Sequence, residues 1–172
     1  MKKILTSIIG AVLISALSGF AAYTDPTPDQ IAAVAGGNSQ LQTTLLQGAS
    51  AEQAAQFIKA VIIAIANLGL DSQAAGARIA LAVTTGFSAF PTDSAPLLAS
   101  SLGTACGATL AISGNATVVS IVQGSVVTAG GSGGAALAEA FGSAFTDAQT
   151  LAAKSTNKDA APPVTKSYDG QK

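Results

Sequence analysis

The chain has no histidine, no tryptophan and a single cysteine, and a long stretch of it carries no charge at all. Each absence removes a class of chemistry. Without histidine there is no side chain that ordinarily titrates near neutral pH, and nothing to take the proton from a serine nucleophile. With Cys106 alone, no internal disulfide forms even in an oxidising compartment. No zinc or haem ligand set can be assembled from these residues, so neither a metal nor another cofactor is expected.

Charge is scarce overall, at 10% of residues against about a quarter in an ordinary soluble domain. It vanishes between Asp93 and Glu139: the forty-five residues 94–138 contain no Asp, Glu, Lys, Arg or His. Such a stretch faces itself, a lipid bilayer or other copies of the chain. No basic patch exists to meet phosphates, which removes nucleic acid as a partner. Beyond residue 21 the only aromatics are Tyr23, Phe57, Phe87, Phe90, Phe141, Phe145 and Tyr168, too few and too scattered to build a stacking platform for bases or sugars.

What is present starts with an export signal. Met1-Lys2-Lys3 supplies a positive n-region and residues 4–17 an apolar core. Small residues at Gly19 and Ala21 then suit cleavage before Ala22, the pattern of a Sec signal peptide over 1–21. Leu17-Ser18-Gly19 resembles the start of a lipobox, but Phe20 stands where the lipidated cysteine belongs. Cleavage leaves 151 residues, one domain's worth. The expected location is periplasmic or extracellular.

Turn and cap residues divide the rest evenly. Ser50-Ala-Glu-Gln53 and Thr27-Pro-Asp-Gln30 are capping boxes. Asp71 or Ser72, Asp93 or Ser94, and Asn115 start further helices, and Ser39 caps a short one over 40–47. Gly69, Pro91, Ser113-Gly114 and the Gly130–Gly134 cluster close them. Helix starts near 50, 72, 94, 115 and 134 recur at about 21 residues, room for one helix and one tight turn. Asn115-Ala-Thr117 is formally a glycosylation sequon and is read here as a helix cap.

Apolar spacing follows the helical period. Ala54, Phe57, Ile58, Val61, Ile62, Ile65 and Leu68 form one stripe; Ile79, Val83, Phe87 and Phe90 the second; Leu98, Leu102, Cys106 and Leu110 the third; Leu137, Phe141, Phe145, Ala148 and Leu151 the last. Lys59 and Arg78 fall on solvent-facing positions. Residues 117–128 are rich in valine and suit a strand as well; the absence of a second strand to pair with assigns them to a helix. The expected fold is all-α: an antiparallel helical bundle or a stacked helical-hairpin array of about five long helices plus two short N-terminal ones, in a domain over 22–154. The third and fourth long helices take the wrapped centre, and residues 155–172 form a flexible polar tail.

Ala99, Gly103, Gly107 and Ala111 recur every fourth residue, leaving one side of the third long helix as nearly bare backbone. This is the candidate face for close helix–helix contact or self-association. Small residues at this spacing also mark membrane helix pairs, so insertion of a hairpin over 95–129 is the competing reading. The hydroxyls and glycines interleaved there make a poor autonomous span.

Catalytic motifs fail on inspection. Gly130-Gly131-Ser132-Gly133-Gly134 matches G-x-S-x-G without a histidine to serve Ser132. Gly131-x-Gly133-x-x-Ala136 looks like a dinucleotide-binding turn, but no second strand follows. Asp71 and Asp93 are placed as helix caps rather than as an acid–base pair. Cys106, with no basic neighbour in sequence to lower its pKa, is expected to be a small buried hydrophobe. No enzyme is expected. The chain reads as a non-catalytic structural or interaction module of the bacterial cell envelope, meeting a protein partner or further copies of itself. A membrane-active or pore-forming protein is the alternative.

Overall fold

The computed structural model describes residues 23–158; the segment read as a signal peptide over 1–21, residue 22 and residues 159–172 of the expected tail lie outside the described residues. Within them the chain is helical throughout, with no strand. The helices are α1 (Pro28–Ala35), α2 (Ser39–Leu45), α3 (Ala51–Ala66), α4 (Ser72–Ser88), α5 (Ala95–Gly107), α6 (Leu110–Ser113), α7 (Ala116–Gly130) and α8 (Gly134–Lys158). The valine-rich segment is α7, so the strand alternative is closed.

Local signals explain the starts. Thr27 and Ser50 each make a complete reciprocal capping box with Gln30 and Gln53. The Asp71 carboxylate accepts from the Ala74 N–H at 2.8 Å and the Asn115 amide oxygen from Val118 N–H at 3.2 Å. Two expected caps differ. Asn38, not Ser39, caps α2, and neither Asp93 nor Ser94 caps α5 through its side chain. A 3-10 turn over Thr92–Ser94 leads into α5 instead, with Pro96 in the first helical turn. Gly69 leaves α3 at φ 66° and Gly131 leaves α7 at φ 52°, left-handed conformations that glycine adopts without a Cβ penalty.

Most expected apolar stripes lie in the core. Ile58, Val61, Ile62, Ile65, Ile79, Val83, Leu98, Leu102, Cys106 and Phe141 are all buried. The exceptions are Leu68 just past α3, Leu110 at the start of α6 and Leu151 in the last third of α8; all three are exposed, Leu110 to 84%. Leu110 leaves its stripe because the third long helix is broken. α5 stops at Gly107, Thr109 takes an extended conformation (φ −107°, ψ 106°), and α6 restarts on a new axis. The Thr109 hydroxyl donates to the Ala105 carbonyl at 2.8 Å and so occupies one of the carbonyls the break leaves open.

Two polar side chains tie the short helices down. Gln42 is buried, and its amide donates to the Ala82 carbonyl of α4 at 2.7 Å. Arg78, expected in solvent, reaches across from α4 to the Ala35 carbonyl at 2.8 Å. A guanidinium there satisfies an end carbonyl of α1 and opposes the negative end of its dipole.

The centre is the contact between α5 and α8. A Cβ built on Gly103 would lie 2.2 Å from the Phe141 carbonyl oxygen, and one on Gly107 would lie 2.3 Å from that of Phe145. Backbone meets backbone at both points. The offset is 38 residues each time (141 − 103 and 145 − 107), so α5 and α8 run in the same direction. The central pair therefore departs from a purely antiparallel bundle. A parallel pair needs a return path, and α6 and α7 provide it. α7 then turns through Gly131–Gly133, where Gly134 meets the Val127 carbonyl, and packs antiparallel on α8, with Gly130 beside Leu137 and, further along, Gln123 beside Gly142. α7 is not the wrapped central helix its composition suggested: only Val122, Ser125 and Val126 are buried. α8 runs four residues past its expected end at Lys154, so the first residues assigned to the tail are helical.

These contacts set apart two mid-helix glycines. Gly103→Ala should destabilise by about 1–3 kcal/mol or more, because a carbonyl cannot yield to the new methyl. Gly124→Ala in α7 meets nothing within 4 Å and should stabilise by about 0.5–1 kcal/mol through helix propensity. Urea unfolding of the two variants beside the parent measures both signs.

Candidate functional site

Of the residues marked out by small-residue spacing, Ala99, Gly103 and Gly107 are buried and Ala111 is exposed. The break after Gly107 takes Ala111 off the face. The remaining three lie in the buried core of α5, and the two glycines seat the chain's own α8. That surface is occupied within the chain, so contacts with another copy must use a different one.

Cys106 sits in the same buried helix with no exposed surface. Burial pushes its thiol up to about 12, with Lys59 pulling the other way. A thiol so placed is protonated at neutral pH and shielded from oxidants and disulfide partners. The glycine turn gives Ser132 an exposed place between α7 and α8. Among the described residues no side chain is hydrogen-bonded to it, and the turn serves the helix hairpin. Asp71 caps α4, whereas Asp93 lies in the 3-10 turn. Among the described residues no group of three or more His, Cys, Asp or Glu could hold a metal ion, and no helix is long and apolar enough to cross a membrane.

A mixed polar and apolar concavity lies elsewhere. It is a groove of about 680 Å³ between the N-terminal half of α3 and the outer side of α5, closed at one end by the chain entering α1. α3 contributes Glu52, Gln53, Gln56 and Phe57, and α5 contributes Leu97, Ser100, Ser101 and Thr104. Tyr23, Asp25 and Pro26 form the end wall and Ile31 of α1 adds apolar surface. Its chemistry is mixed: an apolar floor, a row of hydroxyls and amides, and two carboxylates. The Tyr23 phenol is held above its ordinary pKa first by burial and second by the Asp25 carboxylate, so it stays neutral well past physiological pH. Lys59 lies one helical turn from Gln56 and donates to its side-chain oxygen.

Sequence reasoning passed over this groove. Glu52 and Gln53 read as part of a capping box, and the hydroxyls of α5 read as an argument against membrane insertion. The legible signal was Tyr23 and Pro26, an aromatic and a rigid residue directly ahead of a capping box. Compared with family models, with curated proteins and with solved structures, the chain matches none of them.

The buried thiol yields a checkable pH dependence. An unfolded cysteine titrates near 9.0 and the folded one near 12. The unfolded state therefore releases its proton first as pH rises. The stability present below pH 9 should fall between pH 9 and 12 by about 1.4 kcal/mol per pH unit. In Cys106→Ala that component is absent, so the stability gap between parent and variant narrows at the same rate. Urea midpoints from pH 7 to 10.5 test this. A thiol reagent at pH 8 should label the native chain negligibly and the urea-unfolded chain stoichiometrically.

Proposed function

We propose that this chain is a non-catalytic structural or interaction module of the bacterial cell envelope, exported on a Sec signal peptide over residues 1–21. It works by contact with a protein partner or with further copies of itself. The observation that carries this reading is the outward side of the uncharged stretch. Its inner side makes core, but Thr104, Ala108, Leu110, Thr117, Ser120, Gln123 and Val127 point outward from α5 to α7. Neutral and hydroxylated residues such as these lose little on desolvation, and depletion of charge is what distinguishes the centre of protein interfaces. Charged side chains, which normally keep copies apart, are missing there.

Further support comes from the chemistry at hand. The one thiol is sealed in the core, the G-x-S-x-G serine stands alone, Asp29, Glu52 and Asp71 sit at helix starts, and Asp25 and Glu52 line a groove. These features suit holding and not turnover.

The test is export followed by assembly. The full chain, produced in a bacterium, should be recovered outside the cytoplasm with its mature end at Ala22 by intact mass. It should be water-soluble without detergent, and should self-associate or capture an envelope protein as concentration rises in light scattering and cross-linking. Calcein-loaded liposomes should stay intact. Recovery in the cytoplasm with Met1 retained would overturn the export reading. Dye release at low protein-to-lipid ratio would replace the module by the membrane-active alternative, with the hairpin over 95–129 entering lipid.

A further inference from the structure

We propose that the C-terminal segment Pro162-Pro163-Val164-Thr165 folds back into a notch between α6 and the last turns of α8, with Val164 against Leu110. The notch, of about 430 Å³, opens where α5 stops and α6 leaves on a new axis. Ala108, Leu110 and Gly114 form one side, and Gln149, Ala152 and Ala153 of α8 form the other. No charged side chain lines it. Leu110 stands 84% exposed in its wall, the most exposed large apolar residue among those described. Three observations name the occupant.

The first is reach. Residues 159–172 follow Lys158, which ends α8 nine residues past Gln149. Nine helical residues span about 13 Å. Asp159 to Thr165, seven residues at about 3.1 Å each in proline-type extended backbone, span about 22 Å. The segment can therefore turn back and draw level with Gln149, with slack left for the reversal.

The second is charge. Between Asp159 and Lys166 lie six uncharged residues, Ala-Ala-Pro-Pro-Val-Thr. They match an uncharged notch, and the two flanking charges stay outside it in water. The third is apolar cover at a low ordering cost. Leu110 and Val164 gain by removing each other from water, and two prolines in tandem have little backbone freedom to lose. A short tether also sets an effective concentration in the millimolar range, so a contact too weak to hold a free peptide holds this one. The notch shares Ala108 and Leu110 with the outward surface assigned to assembly, so the seated segment covers one end of that surface and competes with a partner there. That consequence rests on the envelope-module reading; the seat itself does not.

Disulfide trapping in the full chain tests the seat. Thr165→Cys is paired with Gln149→Cys in the notch, or with Leu151→Cys on the opposite side of α8, two residues and about 200° away. Both α8 positions are exposed, so both thiols meet the glutathione buffer alike, and Leu151 is the nearer to the start of the segment. A segment that samples solvent freely closes the Leu151 pair at least as fast. The seated segment should close the Gln149 pair about tenfold faster, at a rate independent of protein concentration. Leu110→Lys should bring the ratio to about one or below, with far-UV circular dichroism as in the parent because Leu110 is exposed. The proposal is overturned if the Leu151 pair closes as fast, if Leu110→Lys leaves the preference intact, or if the Gln149 disulfide joins two chains and speeds up with concentration. The last result would seat the segment on a second copy instead. Export and self-association are read separately, so failure of the seat leaves the envelope-module reading standing.

Discussion

Everything in this fold depends on one close approach, the backbone of α5 laid against the backbone of α8 at Gly103 and Gly107. At both positions the space a methyl would need is filled by a carbonyl oxygen, of Phe141 and of Phe145. Separations that short bring dispersion and Cα–H···O contacts into range along the helix pair. They also fix register, because a slip by one residue would drive a side chain into a carbonyl. Phe141 and Phe145 reinforce it from the α8 side, stacked one turn apart with ring centroids 5.9 Å from each other.

Much of the topology follows from that contact. Because α5 and α8 are parallel, the chain must travel back between them, and the break at Ala108–Thr109 starts the return. α7 makes the return and pivots into α8 through glycines, with Gly134 pressed on the Val127 carbonyl. The forty-five uncharged residues are thereby accounted for. They are the central helix, the return and the first turn of α8, and the contacts within this set are made by small and apolar residues. What α5 to α7 leave outside is neutral as well, which is why the same stretch supplies both the core and the surface assigned to assembly.

A good share of this was legible in the sequence. Cap residues with their partners three positions on marked the starts of α1, α3, α4 and α7, and four-residue spacing identified α5 as a helix bare on one side. Local rules reached that far because a cap or a stripe is decided within one or two turns of chain. They could not name the neighbour. Periodicity says which face of α5 is small, not that α8 covers it in parallel, and it carried Leu110 and Ala111 across a break that only the return path requires. Arg78 and Gln42 were missed for the same reason: their partners, Ala35 and Ala82, lie 43 and 40 residues away. The groove was hidden because its walls are the polar sides of two helices, and a polar side reads as solvent until a third element closes its end.

The measurement that bears most directly on the account is native-state hydrogen exchange, read residue by residue under mildly denaturing conditions. If the α5–α8 contact is what the structure rests on, the amides of 98–106 and 137–148 should share the highest opening free energy and exchange together. Those of α2, α6 and the outer face of α7 should open at lower energy. The account is contradicted if α5 and α8 open independently, with α8 exchanging early while α3 and α4 remain protected.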